Sequence, residues 1–280
     1  MKYECIEVAV TDGIAEIRLN HPERLNSMTR AFWAEIPHAF RALDEAGGVR
    51  VAVLSSTGRH FSAGMDLSVF QPAKDGGQML GTGDVLARER FRQQLRRLQE
   101  SFNAIANARF PVIAAVQGGC IGGAVDMATA CCLRYATLDA FFCIQEINIG
   151  MMADVGTMNR MPRQLPEAVM RELAYTGDRL GAERAERLGF VNGLFESAEA
   201  LHAGVMAVAR KIASKAPMAV VASKEMISYA RDHSVVESFA YLNALQPGIF
   251  SPEDIARAVS APKGAAPEFE DLAPLKPSMG

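Results

Sequence analysis

The sequence predicts an α/β fold of stacked strand–strand–helix turns, followed by a mainly helical C-terminal region. Two continuous apolar runs, Val51–Ser55 and Pro111–Val116, are typical of buried strands, and each leads into a glycine-containing loop. Helical spacing follows in each case, so a strand pair and then a helix recur along the chain. From Pro166 onward helical patterns dominate. We place the core at residues 1–200 and the helical region at residues 201–280.

The first third of the chain predicts a hairpin and two long helices. Ile6–Val10 and Ala15–Leu19 are β-rich runs that meet at Asp12-Gly13, a dipeptide typical of a tight hairpin turn. Arg30–Ala46 has apolar residues at helical spacing and stops at two glycines, and Val85–Asn107 has the next long helical pattern.

The rest of the chain predicts further strands and helices and two irregular segments. Residues 71–84 are rich in Gly, Pro and polar residues, so we expect an exposed loop there. The Pro-rich segment from Pro262 to the end is expected to lie over another surface, which the sequence does not identify. Further strands are predicted at Arg134–Thr137 and Phe141–Ile144. The helical patterns are Ala124–Cys132, Glu167–Tyr175, Ala182–Leu188, Ala198–Ser214, Met218–Arg231, Val235–Leu245 and Pro252–Val259.

The composition argues against several classes of protein. Of the 280 residues 49% are hydrophobic, which is enough to build a large core. Lys and Arg number 29 against 32 Asp and Glu, with no concentrated basic face, so we expect no nucleic-acid partner. No uncharged run is long enough to span a bilayer, and no basic-then-apolar signal precedes the first strand. We therefore expect a cytoplasmic protein with no membrane partner.

Two glycine-containing loops give the first functional signal. They cover residues 59–67 and 118–123, and each follows a predicted buried strand. Glycine lets the backbone approach a ligand closely, and two backbone N–H groups aimed at one oxygen form an oxyanion hole. Either loop alone is more typical of an ordinary strand-to-helix turn. Cys120 stands where the dinucleotide-binding pattern needs a glycine, which argues against a Rossmann fold.

Acidic residues in apolar sequence give a stronger signal. Between residues 110 and 155 the only acids are Asp126, Asp139, Glu146 and Asp154. Acids in such surroundings are costly unless they are paired or protonated, and they are candidates for proton transfer near neutral pH. The alternative is a structural role, either in helix capping or as partners of Arg134 and Arg160. The pattern alone does not separate these two interpretations.

Two motifs resemble the crotonase (enoyl-CoA hydratase/isomerase) superfamily. They are F-S-A-G-x-D-L at Phe61–Leu67 and G-G-C-I-G-G-A-V-D at Gly118–Asp126. The resemblance extends from His21-Pro22 to the C-terminal helices. Residues 139–157 and 228–234 look more narrowly like the Δ3,5-Δ2,4-dienoyl-CoA isomerases. The resemblance implies the crotonase fold, a spiral of stacked ββα units with a C-terminal helical region.

The resemblance also implies a role for each candidate site residue. The N–H groups of Met65 and Gly123 would form the oxyanion hole for the thioester oxygen. Asp126, Glu146 and Asp154 would be the catalytic acids. The residues that would line the CoA groove are Arg24, Leu25, Ala63, Gly64, Asp66, Leu67, Gly119 and Gly122.

The implied activity is isomerisation of a 3,5-dienoyl-CoA to a 2,4-dienoyl-CoA, with unsaturated fatty-acid β-oxidation as its setting. One proton leaves C2 and one is added at C6, so an acid is needed near each end of the diene. We expect Glu146 at C2 and Asp154 at C6, although the two roles are open to exchange. The main rival is an enoyl-CoA hydratase, in which two glutamates hold a water, but Asp126 takes the place of the first glutamate. A non-catalytic RNA-binding protein on the same fold is a further alternative.

The same resemblance implies the partners. CoA is part of the substrate, and no metal or redox cofactor is expected, because proton transfer and an oxyanion hole suffice for the reaction. Relatives form trimers or paired trimers through their C-terminal helices, so we expect a homotrimer or a dimer of trimers. The acyl chain length and the geometry of the double bonds stay open.

Overall fold

The computed structural model describes residues 2–70, 84–262 and 267–275. Its strands are β1 (Ile6–Thr11), β2 (Ile14–Leu19), β3 (Val51–Ser56), β4 (Val112–Val116), β5 (Gly119–Ile121), β6 (Leu133–Thr137), β7 (Phe141–Cys143), β8 (Arg179–Gly181) and β9 (Leu194–Phe195). Its helices are α1 (Arg30–Ala46), α2 (Val85–Asn107), α3 (Gly123–Ala130), α4 (Thr157–Arg160), α5 (Glu167–Thr176), α6 (Ala182–Arg187), α7 (Ala198–Ala213), α8 (Pro217–Asp232), α9 (Val235–Ile249) and α10 (Pro252–Ser260).

The predicted hairpin and the first two helices are confirmed. β1 and β2 pair antiparallel with Thr11 opposite Ile14, which leaves a two-residue turn at Asp12 and Gly13. Both turn residues have positive φ, 52° and 75°, as the tight hairpin turn requires. α1 and α2 have the predicted bounds, and each begins at a side-chain cap. Of the predicted loop at 71–84, residues 71–83 lie outside the described residues.

Two sheets organise the core. The larger has the order β1-β2-β3-β4-β6-β9 and is parallel beyond the first hairpin, and the smaller has the order β5-β7-β8. β4 and β5 belong to different sheets, as do β6 and β7, so each of these two turns of the chain adds one strand to each sheet. The predicted crotonase-type spiral of ββα units is therefore confirmed. β5, β8 and β9 were not predicted, because runs of two or three residues carry no periodic pattern.

The central strands β3 and β4 are buried on both faces, which explains their continuous apolar sequence. Alternate residues such as Leu54 pack with Phe32 of α1 in one core cluster. The residues between them, such as Val53, pack with Val205 of α7 in a second cluster. The division proposed between residues 200 and 201 falls inside α7, and the two-region description stays a prediction.

The C-terminal segment packs against the region where α1 ends. The Gly48 N–H donates to the Leu272 carbonyl at 3.0 Å, and the Leu275 N–H donates to the Glu45 carbonyl at 2.9 Å. Leu272 is buried. The expectation that this segment lies over another surface is confirmed for residues 267–275, while 263–266 and 276–280 lie outside the described residues.

Among the residues that the structure describes, no helix combines the length and the apolar character needed to cross a membrane. The cytoplasmic location stays a prediction.

Candidate active site

Backbone hydrogen bonds hold the two glycine-containing loops side by side. The Ser62 N–H donates to the Gly119 carbonyl at 3.1 Å, and the Ile121 N–H donates to the Ser62 carbonyl at 3.1 Å. A side chain at Gly64 is excluded, because its Cβ would lie 2.4 Å from the Ile121 carbonyl oxygen. The two loops therefore lie side by side, as closely as two paired strands.

This pairing brings the amides of Met65 and Gly123 close together. A Cβ placed on Gly123 would lie 4.0 Å from the Met65 nitrogen. Gly123 is the first residue of α3, where a helical N–H has no carbonyl partner in a preceding turn. Among the described residues, neither N–H donates to another group of the chain. Two such amides, the one at Gly123 strengthened by the helix dipole, can hold one oxyanion between them.

A cavity of about 670 Å³ opens beside these amides. Its walls contain both amide-bearing residues and two of the three predicted acids, together with several apolar side chains. The residues that line it are Ser27, Ala63, Met65, Asp66, Ile121, Gly122, Gly123, Gln145, Glu146, Ile149, Met151, Asp154 and Val155.

Glu146 and Asp154 line the cavity from a 3-10 helix and from the loop that follows it. Glu146 lies in the 3-10 helix Gln145–Ile149, and its Oε1 would be 3.1 Å from a Cβ on Gly122. The Asp154 carbonyl accepts a hydrogen bond at 2.8 Å from Nε2 of Gln99, which anchors its backbone to α2. Burial raises the pKa of both carboxyl groups, and the nearby charge of Asp154 raises the pKa of Glu146 further.

Asp126 lies in the first turn of α3 and is fully buried next to the cavity wall, with 0% exposure. Its Oδ1 accepts the Thr157 N–H at 2.5 Å, and its Oδ2 has no hydrogen-bond partner among the described residues. Burial, with the charge of Glu146 as the next contribution, raises the pKa of Asp126 to about 7. Arg134 is not its partner, because that guanidinium donates to the carbonyls of Phe190, Ala128 and Cys131.

A family model described as enoyl-CoA hydratase/isomerase matches residues 9–270. The chain belongs to the enoyl-CoA hydratase/isomerase family. The mitochondrial Δ3,5-Δ2,4-dienoyl-CoA isomerase of Homo sapiens is 36% identical over 92% of this chain and 79% of its own length. The peroxisomal isomerase of the same name from Arabidopsis thaliana is 34% identical over 92% of each chain. These matches confirm the predicted superfamily, the predicted likeness to dienoyl-CoA isomerases and the predicted enzyme class, an isomerase.

Solved structures of this family share the fold. An enoyl-CoA hydratase subunit from Geobacillus kaustophilus has a TM-score of 0.82 at 28% identity, covering 96% of this chain and 99% of its own. An enoyl-CoA hydratase from Thermobifida fusca, solved in complex with acetoacetyl-CoA, has a TM-score of 0.79 at 26% identity and covers 87% and 94%. The predicted fold class is confirmed, while the roles of individual site residues stay predictions.

The residues predicted to line the CoA groove are distributed unevenly around this crotonase-family site. Ala63, Asp66 and Gly122 line the cavity, and Gly64 lies between the first two. Gly119 does not line it: the residue is buried, and its N–H donates to Nδ1 of His60 at 2.9 Å.

Of the remaining three groove residues, two lie in the turn at residues 22–25 and one lies at the end of the first glycine-containing loop. Nη2 of Arg24 forms an ion pair with Oδ2 of Asp66 at 3.0 Å. Leu25 is 45% exposed, and its carbonyl accepts the Ala63 N–H at 2.9 Å. Leu67 begins the 3-10 helix Leu67–Phe70.

Several residues at this site were not predicted from the sequence. Ser27 lines the cavity, and its hydroxyl donates to Oδ2 of Asp66 at 2.8 Å. Thr157 supplies the amide that binds Asp126. Gln145 and Ile149 complete the wall beside Glu146. Ser27 carries no motif, so only the folded chain shows its place, whereas Thr157 lies inside the stretch that resembles the isomerases.

Proposed function

We propose that this chain converts 3,5-dienoyl-CoA to 2,4-dienoyl-CoA by moving a proton between C2 and C6. One observation carries the proposal: two acidic residues, Glu146 and Asp154, line the same cavity as Met65 and Gly123, whose amides lie close together. An acyl thioester whose oxygen binds those amides would place its unsaturated chain along the acids. The isomerase names of the curated relatives support the same reaction.

The reaction needs only proton transfers and stabilisation of charge. One carboxylate removes a proton from C2, and the electron pair delocalises from the thioester oxygen along the diene as a dienolate. The amides of Met65 and Gly123 stabilise that charge, and losing one such donor typically costs about 3 kcal/mol of barrier. The second acid must hold a proton in order to give it to C6, and burial, which raises the pKa of that carboxyl group, favours its protonated form. We assign Glu146 to C2 and Asp154 to C6, and the roles are open to exchange.

Asp126 fits a supporting role in this scheme. Its carboxyl is buried, with a pKa of about 7 that lies far above the ordinary value of 3.8. Close carboxyl groups cannot all ionise cheaply, so a third acid biases the other two towards complementary protonation states. This is the condition that a paired base and acid require.

The proposal includes the ligand and the setting. The CoA moiety is part of the substrate, as the Thermobifida fusca complex with acetoacetyl-CoA supports. The proposed reaction needs no metal or redox cofactor, because proton transfer and an oxyanion hole suffice. The setting that we propose is the β-oxidation of unsaturated fatty acids.

Hydration of an enoyl-CoA is the alternative, because the solved relatives carry hydratase names. A hydratase needs two carboxylates that hold one water above the C2–C3 double bond. Asp126 is shorter than glutamate by one methylene, is fully buried and is bound to the Thr157 amide. These features favour the isomerase.

An absorbance assay separates the two reactions. A 2,4-dienoyl thioester is conjugated and absorbs further to the red than its 3,5-isomer, so absorbance should rise when the protein meets a 3,5-dienoyl-CoA. Hydration of a 2-enoyl-CoA would instead remove absorbance. Hydration without isomerisation would overturn the proposal, and so would salt-sensitive RNA binding without turnover of either thioester.

The variant Asp154→Asn tests the assigned acid. It should lower kcat by about 10²-fold or more, because a positioned proton-transfer group typically contributes that much. The dissociation constant of a CoA ester should change little, since the amides of Met65 and Gly123 are retained. Asp178→Asn, the same chemical change at an exposed position, is the matched control and should keep full turnover. Near-normal turnover of Asp154→Asn would exclude the assignment.

A further inference from the structure

A second pocket lies against the segment that carries Asp154 and is distinct from the substrate cavity. Its volume is about 320 Å³, and three of its lining side chains are arginines. It brings together two stretches with isomerase resemblance, because Val155 and Gly156 come from one and Arg231 and Asp232 from the other. The residues that line it are Gln99, Asn103, Val155, Gly156, Asn159, Arg160, Arg163, Arg231 and Asp232.

Arg160 is the arginine of this pocket that approaches the acids. Its half-buried guanidinium donates from Nη2 to Oδ1 of Asn103 at 2.6 Å, which ties it to α2. A Cβ placed on Gly156 would lie 2.0 Å from Nη1 of Arg160 and 3.9 Å from Oδ1 of Asp126. The guanidinium and the buried carboxyl therefore both lie close to one point of the Gly156 backbone, and only a glycine leaves room there.

The other two arginines of the pocket are already engaged. Nη1 of Arg163 binds Oδ1 of Asp232 at 2.5 Å, and Nη2 of Arg231 binds Oδ2 of the same carboxylate at 3.0 Å. Because Asp232 is shared by two arginines, it does not neutralise Arg160. Among the carboxyl groups, Asp126 is the one whose negative charge raises the pKa of Arg160, against the larger lowering effect of burial.

We propose that Arg160 is a positioning residue whose positive charge sets how many protons the three acids hold. This inference rests on the proposed isomerase function. The titratable and charged groups near Asp126 are Glu146, Asp154, Arg160 and Cys120. Two of these are acids that favour protonation of Asp126, and Arg160 opposes them. Guanidinium groups stay ionised in proteins, so this charge is permanent even though burial lowers the pKa of Arg160.

The pH profile of kcat/KM tests the proposal. Replacing Arg160 with Gln should move the acid limb of the profile upward by roughly one pH unit, because removal of a nearby cation makes an acid harder to ionise. Arg160→Lys, which keeps the charge, should restore the wild-type midpoint. A merely structural role would lower kcat/KM at every pH without moving that midpoint.

The matched control is Arg163→Gln, which removes another arginine of the same pocket and should leave the midpoint unchanged. If Arg160→Gln does not fold, Arg160→Met, which keeps the length of the side chain, replaces it. A neutral variant whose profile superimposes on that of the wild type would overturn the proposal.

A second measurement does not depend on activity. The pH dependence of urea unfolding reports the midpoint at which Asp126 loses its proton, and this midpoint should rise in Arg160→Gln and be absent in Asp126→Asn. A wild-type protein without isomerase activity would contradict the proposed function alone. An unchanged unfolding midpoint in Arg160→Gln would contradict the role of Arg160.

Discussion

Asp126 shows how a single side chain links folding to chemistry. Its carboxyl group is fully buried, and one of its two oxygens has no hydrogen-bond partner among the described residues. An ionised carboxylate in such a place is costly, so burial raises its pKa to about 7 from an ordinary 3.8. The folded chain therefore binds this proton more tightly than the unfolded chain. The resulting stability is complete below pH 3.8 and is lost as the pH rises through about 7.

Asp126→Asn should remove this pH dependence, because the amide stays neutral at every pH. Between pH 5 and pH 8 the wild type should lose about 3 kcal/mol of unfolding free energy relative to the variant. Urea unfolding at both pH values, at equal protein concentration, measures the difference. Asp178→Asn, at an exposed site, should show no such change. An equal gap between wild type and Asp126→Asn at pH 5 and pH 8 would contradict the assignment of the pKa.

The sequence predicts functional residues only where their chemical type differs clearly from that of their neighbours along the chain. Asp126, Glu146 and Asp154 stand out because they are acids in an apolar stretch, and the structure places all three at or beside the cavity. Ser27 carries no comparable signal, and the sequence indicates Arg160 only as one of two possible arginine partners of the acids. Ser27 and Arg160 reach the site through the turn before α1 and the end of α4, and their contacts with Asp66 and Asn103 join distant parts of the chain.

At the scale of elements, long patterns are predicted well and short ones are not. α1 and α2 begin and end where spacing, caps and the glycines after Ala46 place them. β5 has only three residues inside the glycine loop, and its pairing with β7 depends on contacts that local sequence does not encode. The same strand orders the loop next to Gly123, so an element that the sequence does not predict positions one of the amides proposed for the oxyanion hole.

The contact between α1 and the C-terminal segment depends on Gly47. This residue has φ 72° and ψ −176°, a conformation essentially restricted to glycine, and a Cβ there would lie 2.6 Å from the Leu272 carbonyl oxygen. Gly48 also has positive φ, 76°, but nothing lies within 4 Å of its Cβ position. A substitution at Gly47 therefore meets both steric exclusion and backbone strain, whereas one at Gly48 meets only the strain of a positive φ.

Gly47→Ala should destabilise the protein by roughly 2–3 kcal/mol, whereas Gly48→Ala should cost only about 1 kcal/mol, the strain of an alanine at positive φ. The larger loss is expected because the Gly47 conformation is essentially restricted to glycine, and because the alanine methyl group would displace the segment 267–275, in which Leu272 is buried. Chemical denaturation of both variants measures the difference, and limited proteolysis should cleave the C-terminal segment faster in Gly47→Ala alone. Equal losses in the two variants would show that the close approach to Leu272 contributes nothing.

At the scale of the whole molecule, the helices after α7 leave apolar side chains in water. On α9, Val236 is 80% exposed and Phe239 is 60% exposed, and on α10 Val259 is 81% exposed. Exposed apolar surface on consecutive helices is typical of an interface rather than of a free face. We propose that further copies of this chain cover it, in the homotrimer or dimer of trimers that the family resemblance implies.

Sedimentation equilibrium should therefore give three or six times the 30.2 kDa mass of the chain. Phe239→Glu should shift the mass towards the monomer, because burying an unpaired carboxylate at an interface costs several kcal/mol per copy. Val10→Glu, a similar apolar-to-acid change at a half-exposed site on the edge strand β1, is the control and should leave the assembly intact. A monomeric wild type would contradict the proposal outright. A Phe239→Glu protein with unchanged mass would place the interface elsewhere, and loss of assembly in Val10→Glu alone would assign it to the β1 edge of the larger sheet.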